Sequence, residues 1–266
     1  MRITRLQDVF ARAREEQRAA VIGYLPAGFP DPDTSVALIR SMIDAGADVV
    51  EVGLPYSDPL MDGPVIQQAV DQALAAGTTT DVVLDVVSQV SGRGAAILVM
   101  SYWNPIEQYG VDRFAQRLAE AGGVGVITPD LTPEEAGPWI SATDAHHVDR
   151  IFLVAPSSTD DRMETVAAAT NGFVYAASTM GVTGARTSVS SSAADVVARA
   201  RRHTSLPIAV GVGVSTGEQA REVAAYADGV IVGSAFVRRV QDAPDSAAAV
   251  DAVGTLAAEL ATGVRG

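Results

Sequence analysis

From Ala19 onward, short runs rich in Val, Ile and Leu alternate with longer stretches of helical period, and turn residues separate them. This repeat limits the fold more than any other feature, because it is the pattern of parallel strands joined by crossover helices. Strands are predicted over residues 20–25, 49–53, 96–100, 125–128, 151–154, 172–177, 208–212 and 229–232. Helices are predicted between them, among others over 34–45, 112–121, 159–169, 192–203 and 217–227. Several open on Asp, Ser or Thr, and Gly46, Gly77 and Gly122 close three of them, as cap chemistry requires. Eight such units without a Pro/Ser-rich linker predict a single α/β domain over 1–266, a closed (β/α)8 TIM barrel. A doubly wound open sheet is the alternative. The segment 3–14 is expected to form an added N-terminal helix under the barrel, 62–76 an inserted helix after strand 2, and 245–262 a terminal helix on the outside.

Composition narrows the chemistry. All 19 basic residues are Arg, so no lysine Schiff base can form. The absence of Cys removes disulfides, thiolate nucleophiles and cysteine-ligated metals, and it fits a reducing, cytoplasmic setting. A net charge of -13 disfavours nucleic acid and anionic membrane surfaces. The first 17 residues mix Arg with Asp and Glu and lack the apolar core of a signal peptide. The longest uncharged stretch, 165–185, is rich in Thr, Ser, Gly and Asn, and does not read as a transmembrane helix.

In a barrel of this kind, reactive groups sit where strands end and loops begin. Glu51 stands in the apolar second strand and shares its facing with Val49 and Gly53. If that face is inward, desolvation lifts the carboxyl toward the range useful for proton transfer; the alternative is a buried Glu paired with an Arg. Asp62 follows in a loop stiffened by Pro and Gly, and two carboxylates in one strand-loop unit suggest divided acid and base roles. Tyr175 runs into a segment with glycines around Val182 and Thr183, the composition of a mobile lid. Gly211, Gly213 and Gly233 stand at the ends of the last two strands, and a short helix beginning near Ser234 would aim its N-terminus at an anion. His146, His147 and His203 lack metal-ligand spacing and are expected at the surface, so no metal site is predicted.

The stretch from Glu51 to Pro64, Glu-Val-Gly-Leu-Pro-Tyr-Ser-Asp-Pro-Leu-Met-Asp-Gly-Pro, resembles the tryptophan synthase alpha chain family. The resemblance continues through Tyr102-Trp103-Asn104-Pro105, Thr128-Pro129-Asp130-Leu131, Gly181-Val182-Thr183-Gly184-Ala185-Arg186 and Gly229 to Ser234. It implies retro-aldol cleavage of indole-3-glycerol phosphate to indole and glyceraldehyde 3-phosphate. The residues it implies as catalytic are Glu51, Asp62, Tyr175 and Thr183. Tyr24, Met100, Tyr102, Leu153 and Val212 would contact the substrate, with phosphate on the backbone of Gly184, Gly213, Gly233 and Ser234. It implies no cofactor in this chain and a beta chain partner carrying pyridoxal phosphate, in a complex of two alpha and two beta chains. Tyr56, Ser57, Asp58, Pro59, Asn104 and Pro105 would face that partner. The chain departs from many members at Val212, where they carry an aromatic residue, and at Thr179, where they carry Arg. Competing readings are another phosphate-barrel enzyme, a lyase acting without a partner, and an inactive barrel that only regulates a beta chain.

Overall fold

Residues 3–177 and 191–266 are described by the computed structural model. The strands are β1 (Ala20–Pro26), β2 (Val49–Gly53), β3 (Ala96–Met100), β4 (Gly125–Ile127), β5 (Asp149–Ile151), β6 (Leu153–Val154), β7 (Val174–Ala177), β8 (Ile208–Gly211) and β9 (Gly229–Val232). They pair in parallel in the order β5-β4-β3-β2-β1-β9-β8-β7-β6. The two ends of that order, β5 and β6, are separated in the chain by Phe152 alone, and the Tyr175 N–H donates to the Phe152 carbonyl at 3.2 Å. The sheet therefore closes into a ring of eight, its fifth strand broken at Phe152, as a TIM barrel. The fifth strand, expected over 151–154, begins two residues earlier at Asp149 and is split.

Alternation sets which side chains fill the ring. Ile22, Val49, Leu98, Ile127, Ile151, Phe173, Ala209 and Ile231 form one cluster inside it, while Val21, Val50, Val99, Val126, Val174, Val210 and Val230 join a second cluster beneath the helices. Both faces are apolar because a parallel sheet is buried on both sides. The N-terminal helix, Leu6–Glu15, plugs the lower end: Leu6, Val9, Phe10 and Ala13 join the inner cluster, and the Phe10 and Phe173 rings lie 5.6 Å apart.

Helices start and stop where short-range chemistry dictates. Asp31 caps Pro32–Asp44 by accepting the Thr34 N–H at 2.9 Å, and Asp245 caps Ser246–Gly263 through the Ala248 N–H at 2.9 Å. Gly46, Gly77 and Gly122 take φ of 114°, 85° and 85° just past helix ends, a region that favours glycine. The inserted helix runs Pro64–Ala75, not from residue 62, which leaves Asp62 in the loop. Thr80–Val90, Trp103–Tyr109 and Gly137–His146 are helices that the sequence reading does not name. Among the described residues no helix is long and apolar enough to cross a membrane.

One buried ion pair ties the lower end to the strand that carries Glu51. Asp48, directly before β2, receives Arg18 through two nitrogens at 2.6 and 2.9 Å, Arg12 at 3.1 Å, and the Val21 N–H of β1 at 3.0 Å. The Arg18 and Asp48 side chains are 4% and 5% exposed. A buried charge stripped of its partner is costly, so Asp48→Ala should destabilise the fold by about 3 kcal/mol or more. Urea denaturation monitored by circular dichroism measures this; an unchanged midpoint would show that the pair is dispensable.

Candidate active site

The upper mouth, at the C-terminal ends of the strands, is built from the register of β1, β2 and β3. Glu51 pairs in register with Tyr24 on one side and Leu98 on the other. It shares the facing of Val49, an inner-cluster residue, so its carboxyl projects into the ring. Glu51 is 1% exposed, and its Oε1 has no hydrogen-bond partner among the described residues. No Arg pairs with it there. Burial alone pushes its pKa up to about 8, because an ion in that setting has lost its water.

Two tyrosines lie beside it, each over a glycine. A Cβ on Gly53 would come within 2.5 Å of the Tyr24 hydroxyl, and one on Gly211 within 2.5 Å of the Tyr175 hydroxyl. The rings therefore occupy the volumes that side chains at 53 and 211 would fill. Burial raises both phenol pKa values, and the nearby charges of Glu51 and Asp62 raise them further. Both carboxyls thus act on both tyrosines, although they come from different parts of the chain.

Asp62 is partly buried in the loop between β2 and Pro64–Ala75. Its backbone is held by Gln67, whose Nε2 donates to the Asp62 carbonyl at 2.8 Å. Burial pushes its pKa up to about 6, opposed by a hydrogen bond from the Tyr102 hydroxyl. That hydroxyl also accepts the Met61 N–H at 3.0 Å, so Tyr102 fixes two consecutive residues of the loop. The loop is tied outward as well. Asn104 Nδ2 donates to the Tyr56 hydroxyl at 3.1 Å, the Tyr56 and Tyr102 rings lie 5.4 Å apart, and Asp130 accepts the Trp103 N–H at 2.9 Å. Tyr102 as a support of Asp62, and Asp130 as a support of the third loop, are contacts the sequence reading missed. The Thr128 to Leu131 motif marked the place but not the bond.

The other predicted positions fall around this centre. Met100 and Leu153 are half-buried on the inner face of β3 and β6, and Val212 is buried just past β8 in the same cluster as Tyr24. A cavity of about 490 Å³ is walled by Met61, Leu131, Phe152, Leu153 and Ala177. Gly213 takes φ of +75° after β8, and Gly233 precedes the helix Ser234–Gln241, with Ser234 buried. At Gly233, φ is -117° and a Cβ would meet nothing nearer than Tyr24 Cδ1 at 3.5 Å, so packing does not demand glycine there. In the predicted partner-facing loop, Ser57 and Asp58 are exposed, Tyr56 and Pro59 half-exposed, and neighbouring Leu60 is 78% exposed. Asn104 is exposed, and both it and Pro105 lie in Trp103–Tyr109. Thr183, Gly184 and Thr179 lie outside the described residues. His147 is exposed; His146 and His203 are half-buried, His146 bonding Asp112 at 2.9 Å.

A barrel holding two desolvated carboxyls at its upper mouth has the make-up of an enzyme site. The family model described as "Tryptophan synthase alpha chain" matches residues 10–265. The chain is 61% identical to the tryptophan synthase alpha chain of Thermobifida fusca, with 99% of this chain and 98% of that one aligned. It is 58% identical to that of Acidothermus cellulolyticus over the same shares. A solved tryptophan synthase structure from Mycobacterium tuberculosis superposes with a TM-score of 0.93 at 49% identity, covering 99% of both chains. The alpha subunit from Legionella pneumophila gives 0.90 at 33% identity, again over 99% of each. This chain belongs to the tryptophan synthase alpha chain family.

The pKa of Glu51 has a stability consequence. A carboxyl whose folded pKa lies above its unfolded value binds its proton more tightly when folded, so the folded state loses ground as pH rises from about 4.5 to about 8. Glu51→Gln removes that titration. Its stability relative to the parent should climb between pH 5 and 8 and level off above, by a few kcal/mol at about 1.4 kcal/mol per pH unit. Urea unfolding of both proteins across that range tests this, and a pH-independent difference would place Glu51 in a solvated setting.

Proposed function

We propose that this chain works in tryptophan biosynthesis as a carbon-carbon lyase, cleaving indole-3-glycerol phosphate to indole and glyceraldehyde 3-phosphate. The observation that carries the reading is the placement of two carboxyls at one mouth, Glu51 buried inside the ring and Asp62 in the loop that follows its strand. Between pH 6 and 8, Glu51 holds its proton while Asp62 is ionised. A protonated Glu51 donates to C3 of the indole, turning the ring into an iminium that accepts the electron pair of the breaking bond. The resulting carboxylate takes the proton of the glycerol hydroxyl as that carbon becomes the aldehyde. One proton enters and one leaves, and Glu51 ends as it began. Ionised Asp62 accepts the indole N–H and stabilises the positive charge on the ring.

The surroundings support these roles. Tyr24, Met100, Tyr102, Leu153 and Val212 wall the indole, and Tyr175 positions substrate against Glu51. Phosphate rests on backbone N–H groups of Gly213, Gly233 and Ser234, joined by Gly184, while Thr183 closes over Asp62. The Gly233 position supports this, since glycine there serves close approach and not packing. We further propose a cytoplasmic chain paired with a pyridoxal-phosphate-bearing beta chain, two of each per complex. Leu60, the one large apolar side chain left exposed among the described residues, lies in the loop that carries Asp62 and supports such a contact.

General acid-base groups contribute typically 100- to 10,000-fold, so Glu51→Gln and Asp62→Asn should each lose at least that much turnover. Parent kcat/KM should follow a bell with limbs near pH 6 and 8, and Asp62→Asn should lose the lower limb. Indole release from indole-3-glycerol phosphate reports both, and near-normal turnover in either variant would sink the mechanism.

The partner reading has its own test. Because Tyr56 to Pro59 lies between Glu51 and Asp62 in the chain, a partner that orders this segment must also place Asp62. Adding a beta chain should raise turnover, with a coupling of about 1 to 3 kcal/mol, and Asp58→Ala should reduce that stimulation more than the basal rate. A parent that forms no complex in gel filtration would favour a lyase acting alone.

A further inference from the structure

At the end of the barrel opposite Glu51, a cavity of about 620 Å³ lies among the N-terminal helix, the residues before β8, the helix Gly217–Ala224 and the end of Ser246–Gly263. Its wall carries Arg14, Arg18, Arg201, Arg221 and Arg265, against a single acidic side chain, Asp228. That is five of the 19 arginines of a chain with 13 negative charges in excess, so the concentration runs against the overall balance.

Their pairing differs in a way that matters. Arg18 is neutralised by Asp48 and Glu16, and Arg201 by Asp228 at 3.1 Å. Arg265 reaches Glu16 only at 3.9 Å. Arg14 and Arg221 make neither an ion pair nor a side-chain hydrogen bond among the described residues. Tyr226, on the same wall, has a buried hydroxyl with no hydrogen-bond partner there. Two guanidinium groups without an ion-pair partner among the described residues thus border one cavity, while the buried Tyr226 hydroxyl is not open to it. The guanidinium fork matches phosphate oxygens two at a time, and an anion with several phosphoryl oxygens can engage two such forks at once.

We propose that this lower cavity binds a small polyphosphate anion, with Arg14 and Arg221 as its principal contacts. It is a second phosphate-recognising site, chemically unlike the first. The glycine-rich loops after β8 and β9 hold no Arg from Gly211 to Gly217 or from Gly233 to Val237, so they can offer only backbone and hydroxyl donors. The lower cavity offers cationic side chains, and its affinity should fall steeply with salt.

Isothermal titration of the full chain with inorganic pyrophosphate at low ionic strength tests the proposal. The parent should bind about one pyrophosphate per chain, and saturating glyceraldehyde 3-phosphate should not displace it. Arg14→Gln and Arg221→Gln should each weaken binding roughly tenfold or more, and the double variant should abolish it. Both residues are exposed and unpaired, so folding and indole release should be preserved; should the double variant misfold, the single variants decide. Gly233→Val should leave pyrophosphate binding intact. No saturable heat, equal affinity in the arginine variants, or loss in Gly233→Val alone would each overturn the proposal.

Discussion

The upper mouth depends on one unfavourable act of burial: a carboxyl placed inside a ring of apolar side chains with no cation to meet it among the described residues. Glu51, at 1% exposure and with no Oε1 partner among the described residues, carries a desolvation cost that the rest of the barrel must absorb. The ring can do so because both of its faces are apolar and every strand is held by neighbours on two sides. An open edge would let water reach the carboxyl and return its pKa to the ordinary range. Closure at Phe152 is thus a condition of the chemistry as well as of the fold.

Stability and reactivity are divided between the two ends of the same strands. Below, Asp48 is fully paired, with Arg18, Arg12 and the Val21 N–H around it. Above, three residues further along β2, Glu51 is left without such partners. The two acids stand three residues apart, one just before β2 and one within it, and differ because the lower rim supplies arginines and amides while the upper interior supplies tyrosine rings and aliphatic groups. Satisfied charge fixes the register, and the register then delivers the unsatisfied one to the mouth.

The ring and its alternation were legible because short apolar runs and helical stretches have different periods, and Val49 and Gly53 set the facing of Glu51 without any tertiary information. Strand bounds held at Val49–Gly53, where Glu51 stands alone among apolar neighbours, and at Ala96–Met100 and Gly229–Val232, which carry no polar side chain. They failed at the fifth strand, where Asp149 and Arg150 disguise the start: the partners of Arg150, such as the Ala169 carbonyl that accepts its Nε–H at 2.7 Å, are brought to it only by the fold. The helix Trp103–Tyr109 is short and opens without a side-chain cap, so it left little local signal. Asp62 was visible as an acid in a stiff loop. Its hold by Tyr102 was not, since the two residues are 40 positions apart and nothing in either segment encodes the other. Thr183 and Gly184 rest on the sequence motif alone.

The placement of Tyr24 over Gly53 and of Tyr175 over Gly211 has a consequence on an evolutionary scale. Each pair is a shared volume, filled from one strand and vacated by the next. A methyl group at 53 or 211 would evict a ring from the centre of the mouth, and loss of a ring would open a hole beside Glu51 for water. Neither partner can drift alone without passing through a damaged intermediate. Lineages that keep the reaction are therefore held to both members of each pair, and lineages that abandon it are released at four positions together.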